Sequence, residues 1–198
     1  MTSVEDAEAE PAPSSSGLRR LAIDTRPLRH PAYRRLFVGS ATSFFGSQFT
    51  AVAVPVQMYA LTRSSLWVGY LGVAALVPLL LFALWGGALA DAVDRRRLLL
   101  GSSLVMWVGT LSLLAQALLR VGSPVLLLVL VAVQSAGVAV SSPTRGAIIP
   151  RIMPKAEVPS ANTLNFTAMT GASVVGPLAA GVLIQYDVAW AYSIDAVT

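Results

Sequence analysis

The chain has 198 residues, 55% of them hydrophobic and only 12% charged, with a formal net charge of +4. A soluble domain is about 25% charged, so this balance is that of a membrane protein, and arginines bordering apolar runs point to membrane topology rather than to nucleic acid. The sequence has no Cys and a single His, His30, which excludes a disulfide framework, a thiolate metal site, a cysteine nucleophile and any histidine-built metal or catalytic cluster.

Residues 1–35 are expected to be a disordered cytoplasmic segment, acidic and then basic. Met1 to Gly17 carries Glu5, Asp6, Glu8 and Glu10 followed by PAPSSS, a composition that cannot bury a core. Its acidic start is unlike a signal peptide. Leu18 to Arg35 carries six arginines, which serve either as a topogenic flank or as a lipid or partner site.

A helix needs about 20 apolar residues to cross a bilayer. Such runs are expected at about 36–61, 66–90, 98–119, 124–140 and 159–184, with a sixth span starting at 188 and incomplete at 198. Together they make a transmembrane helical bundle over 36–198, an all-α membrane protein. Pro124 and Pro159 suit the first turn of a helix, where a missing N–H costs nothing. Pro55, Pro78 and Pro177 fall inside spans, which membrane helices tolerate when neighbours satisfy the freed carbonyls. The short connections predict that helices adjacent in sequence are close neighbours. Twelve Lys and Arg fall on the N-terminal side of the spans against Arg63 and Arg120 on the other. That asymmetry places the N-terminus in the cytoplasm.

Polar residues inside the spans are candidates for function. In the first span Ser40, Ser43, Ser47, Thr50 and Gln57 recur at three- and four-residue steps and share one helix face. They line a substrate cavity, or they are satisfied by their own backbone and by neighbouring helices. Gln48 lies off this stripe. Gln134 and Ser141 share a face of the fourth span and suit a cavity wall. Asn162 and Asn165 lie near the start of the fifth, as cap or substrate contact. Ala168, Ala172, Gly176 and Ala180 form a ladder of small residues that lets helices approach closely. Asp195 is the only carboxylate within a predicted span. A carboxylate at that depth is a functional hypothesis by default, and it is the candidate for proton coupling; the alternative is a structural polar contact.

Between the second and third spans lies GALADAVDRRRLLL, Gly87 to Leu100. It resembles the loop between helices 2 and 3 of the major facilitator superfamily, roughly G-x-L-A-D-R-x-G-R-R/K. The match runs through Gly87, Leu89, Ala90, Asp91, Arg95 and Arg96 and departs at Ala92 and Asp94. LFVGSATSFFGSQFT, LTRSSLWVGYLG, SSPTRGAIIPRIMP and WAYSIDAVT resemble one branch of it, the enterobactin exporter and macrolide efflux group. The resemblance covers about Leu28 to Thr198 and implies the N-terminal six-helix half of a two-half transporter, with five complete helices and a truncated sixth. It implies a conformational latch at Gly87, Asp91, Arg95 and Arg96. It also implies an antiporter-like motif in the fifth span at Gly176, Pro177 and Gly181, with Ala172 and Ala180 in place of two of the family's glycines. Val131 stands where many drug–proton antiporters carry an arginine.

The expected function is secondary active transport, an ion-gradient-driven exporter of a small amphipathic siderophore or drug-like molecule in the bacterial inner membrane. The expected partners are the lipid bilayer, the substrate and a C-terminal or partner half. The alternative is a non-transporting membrane subunit that needs that partner half. No catalytic residue, metal or cofactor is expected, since there is no paired-carboxylate or Ser–His arrangement and no phosphate-binding G-x-x-x-x-G-K-[ST] loop.

Overall fold

The computed structural model describes residues 24–92, 95–146 and 148–198, with side chains described except at 83–92, 95–96, 143–146 and 151. Among the described residues there is no strand. A 3-10 helix at Arg26–Arg29 precedes α1 (Pro31–Thr62), α2 (Ser65–Ala92), α3 (Arg95–Leu118), α4 (Pro124–Gly146), the single turn α5 (Ile149–Ile152), α6 (Val158–Ile184) and α7 (Val188–Val197).

Among the described residues, four helices have stretches long and apolar enough to cross a membrane: Ser65–Phe82, Arg97–Leu118, Pro124–Ser142 and Val158–Ile184. α1 is the longest helix, at 32 residues, and its apolar character is diluted by the Ser, Thr and Gln stripe. Pro31 and Pro124 open α1 and α4, while Pro55, Pro78 and Pro177 lie inside α1, α2 and α6. α1 ends at Arg63 in the left-handed region, φ 51°, with its N–H bonded to the Tyr59 carbonyl. Asp187 caps α7, its side chain accepting from the Ala189 N–H at 2.8 Å.

Disorder up to residue 35 is corrected from Arg26 onward. The 3-10 turn leads into α1 five residues before the expected span, because Tyr33 is 1% exposed and gives this end a buried anchor. Its hydroxyl donates to the Ala161 carbonyl on α6 at 2.7 Å. Leu28, Leu36, Ile149, Met153 and Leu164 close around it as a small second core. His30 Nε2 meets Glu157 Oε2 at 3.1 Å on the same side.

The expected neighbour order holds for α3 and α4 and is corrected for the other helices. α2 packs mainly on α4, and α4 lies between α2 and α3. α1 packs mainly on α6 and α7, and α7 also packs on α3. Short connections fix where a helix begins, but burial decides which face it presents and to whom. The main core gathers Phe49, Ala53, Met58, Leu113, Leu127 and Tyr192, so that α1, α3, α4 and α7 share one interior. Leu66, Val73, Leu80, Phe166, Leu178 and Val182 remain exposed on α2 and α6, apolar faces suited to lipid or to another helical half.

Candidate functional site

Four helices bring polar side chains to one place inside this core. α7 supplies Asp195, whose Oδ2 accepts from Thr50 Oγ1 of α1 at 2.6 Å and from Thr110 Oγ1 of α3 at 3.2 Å. α4 supplies Gln134, whose Nε2 donates to Thr110 Oγ1 at 3.0 Å. The indole N–H of Trp107 on α3 donates to the Ala196 carbonyl at 3.0 Å and ties the same turn of α7 to α3. Among the described residues, ion pairs form at Arg26–Asp24 and His30–Glu157, and none reaches Asp195. Hydroxyl groups, not a cation, hold this carboxylate.

Gly46 explains how α7 comes so close to α1. A Cβ there would overlap the Thr198 side chain and stand 3.1 Å from the Asp195 Cα. α3 and α4 meet in the same manner at Gly109, where a Cβ would sit 3.1 Å from Gln134 Cγ.

A second polar layer lies nearer the end of the bundle formed by the close of α1 and α3 and the start of α7. Gln57 Oε1 accepts from Tyr192 OH at 2.7 Å and from Gln116 Nε2 at 2.9 Å. Gln57 follows Thr50 by seven residues, about 10 Å along the helix, and Tyr192 precedes Asp195 by three. Both pairs fall on single helix faces, so the two layers form one column.

The stripe on α1 thus divides. Thr50 and Gln57 are buried and bonded to α3 and α7. Ser47 bonds the Phe44 carbonyl of its own helix at 2.8 Å, and Ser43 is half-buried. Gln134 and Ser141, expected on a cavity wall, both turn to α3, to Thr110 and to Met106 Sδ. Asn165 is half-buried on α6 and Asn162 exposed. The small-residue ladder of α6 also divides. Gly176 and Ala180 are buried, and a Cβ on Gly176 would stand 2.5 Å from Gln48 Cβ of α1. Ala168 and Ala172 instead line a shallow groove of about 430 Å³ between α1 and α6, with Ala41, Phe45 and Gly171. Gly181 has nothing within 4 Å of an added Cβ. The side chains of Gly87, Asp91, Arg95 and Arg96 lie outside the described residues.

Thr110, Gln116 and Tyr192 were not singled out from sequence. Gln116 was the available signal, an amide alone among the apolar residues that end the third span.

The family model described as transmembrane secretion effector, a branch of the major facilitator superfamily, matches residues 23–198. The chain belongs to this family. The chain is similar to the enterobactin exporter of Citrobacter koseri, 28% identical over 172 residues, which cover 84% of this chain and 40% of that protein. It is also similar to the enterobactin exporters of Salmonella typhimurium, 26% identical over 168 residues (84% of this chain, 41% of that one), and of Escherichia coli O1:K1, 27% identical over 172 residues (84% and 40%). The chain thus spans about two fifths of the length of the curated relatives it matches. No solved structure matches. The chain is therefore a multi-pass helical membrane protein of a transporter family, and its fold is that of the superfamily's N-terminal half.

Proposed function

We propose that this chain is one half of an ion-gradient-driven exporter of a small amphipathic molecule, siderophore or drug-like, and not an enzyme. It acts in the bacterial inner membrane with its N-terminus in the cytoplasm. A C-terminal or partner half completes the substrate path. Its likeness to enterobactin exporters supports export and the substrate class. The arginine asymmetry about the spans supports the orientation.

The observation that carries the reading is the Asp195 carboxylate held by Thr50 and Thr110. A carboxylate at the centre of a membrane helix costs about 2.5–3.5 kcal/mol on insertion scales. Hydrogen bonds to a charged group return about 1.5–3 kcal/mol each. Two such bonds offset the insertion cost of the charged form, and a neutral carboxyl can still accept them, so both protonation states are accommodated, which is what a proton-exchanging group requires. Asp195 takes the coupling proton, while Thr50, Gln57 and Gln134 hold the helices around it. Ser43, Ser47 and Asn165 are left for the substrate side. Asp91, with Gly87, Arg95 and Arg96, latches the cytoplasmic side against the other half, and Gly176, Pro177 and Gly181 shape α6 for exchange between the two faces.

The test is efflux from cells carrying the complete transporter, with and without a collapsed proton gradient. Asp195→Asn is expected to abolish the gradient-dependent part of efflux while the protein still reaches the membrane. Gradient-dependent efflux that survives in Asp195→Asn overturns the assignment.

The second reading is a non-transporting subunit that needs a partner half. Co-purification of a separately encoded half, with no efflux from either one alone, would select it.

A further inference from the structure

The layer formed by Gln57, Gln116 and Tyr192 has one polar group left over. Gln116 is 3% exposed, and its Oε1 has no hydrogen-bond partner among the described residues. Tyr192 is 0% exposed. Buried polar atoms are satisfied in nine cases of ten or more, so an exception calls for an explanation. Amide orientation is an assignment, but no assignment removes this orphan. With Gln57 as it stands, Gln116 uses its NH2 and its oxygen is spare. With both amides reversed, Gln116 uses its oxygen and its NH2 is spare. One end of the Gln116 side chain always faces a further group. That group must accept or donate as needed, and in so closed a place it must be small. Water meets both conditions.

The position of the layer gives that water a task. Gln57 lies five residues before the end of α1, Gln116 two before the end of α3, and Tyr192 four after the start of α7. Asp195 and Thr50 lie deeper along α7 and α1. The layer therefore stands between the rim at that end of the bundle and the carboxylate, and between Thr50 and Gln57 the same face carries two buried apolar residues, Ala53 and Val54.

We infer that Gln57, Gln116 and Tyr192 form a proton-entry station that holds water between this rim and Asp195. This rests on the reading of Asp195 as the coupling carboxyl. On entry, a hydronium ion at the rim gives one proton to the water at Gln116, and that water passes one of its own O–H protons through further water to the Asp195 carboxylate, where the new O–H bond forms. The hydronium is left as water and the water at Gln116 is restored, so one positive charge has moved inward. Tyr192 and the two amides orient the water; they are positioning residues.

The test follows the protonated-carboxyl infrared band of Asp195 in the complete transporter in lipid vesicles after a pH step on the rim side. Asp195→Asn identifies the band by removing it. Gln116→Met and Tyr192→Phe each keep shape and remove a polar group. Both are expected to slow the rise of the band about tenfold or more, with its frequency and final amplitude unchanged. PH steps on the opposite side should be unaffected, an asymmetry that a merely structural defect would not produce. Unchanged rates in both variants overturn the entry station and leave the role of Asp195 standing. A wild-type protein that shows no Asp195 band on acidification overturns both.

Discussion

Thr50 and Asp195 are separated by 145 residues and joined by a 2.6 Å hydrogen bond between α1 and α7. Thr110 completes the grip from α3 at 3.2 Å. Three helices are thereby tied at one carboxylate oxygen. Removing either hydroxyl leaves the other to hold the charge. Thr50→Val is expected to destabilise the detergent-solubilised protein by about 1.5–3 kcal/mol, and Thr110→Val by at least as much, because it also leaves the Gln134 amide unpaired. Thermal unfolding measures both, and a Thr110→Val variant as stable as the wild type would contradict the geometry.

Gly46 is the backbone condition for that contact. Gly46→Ala places a methyl group against Thr198 and close to the Asp195 Cα. α7 must shift outward, since the obstruction is partly backbone. The expected cost is about 1–3 kcal/mol, and gradient-dependent efflux should fall, as is expected of Asp195→Asn. Hydrogen exchange across α7 should rise relative to the wild type.

Gly176 and Gly181 share a motif but not an environment. Gly176→Ala drives a Cβ into Gln48 of α1, whereas Gly181→Ala meets nothing within 4 Å. The first substitution should cost about 1–3 kcal/mol. The second should be neutral or slightly stabilising, since Ala is the better helix former. Paired melting curves separate the two, and equal shifts would refute the α1–α6 seam as described.

Asp24 supplies a pH dependence ahead of the first helix. The Arg26 backbone N–H, at 3.0 Å, holds the Asp24 carboxyl below its usual value, with help from the Ser160 hydroxyl. A lowered folded value means that this contact is fully present above the ordinary carboxylate pKa, about 3.9, and is lost as the pH falls through the folded one. Protection of the Arg26 amide should therefore decline in acid below that of neighbouring amides. Asp24→Asn should remove the difference at all pH values.

How far the fold was legible follows from what each signal encodes. The apolar runs marked α2, α3 and α6 to within a few residues, because the cost of exposing backbone in lipid leaves little freedom in length. α4 extends past the expected 140 to Gly146, because SSPTRG is polar and hydropathy cannot see a helix that continues into water. The start of α1 was misplaced for the same reason. Tyr33 and its bond to Ala161 order a segment whose local composition is arginine-rich and polar.

For the site, Asp195, Thr50, Gln57 and Gln134 were marked by polarity alone, since a polar group in lipid is costly wherever it points. Its partners were not marked. Thr110, Gln116 and Tyr192 look ordinary in a sequence, and a hydroxyl can always bond its own helix, as Ser47 does. Composition, span order and charge asymmetry depend on transfer free energies, which are properties of each residue and can be summed along a chain. Whether Thr50 faces lipid, a cavity or Asp195 depends on which helices become neighbours. That is settled by close approaches such as Gly46 against α7 and Gly109 against Gln134, contacts between residues far apart in sequence that exist only once the bundle has closed.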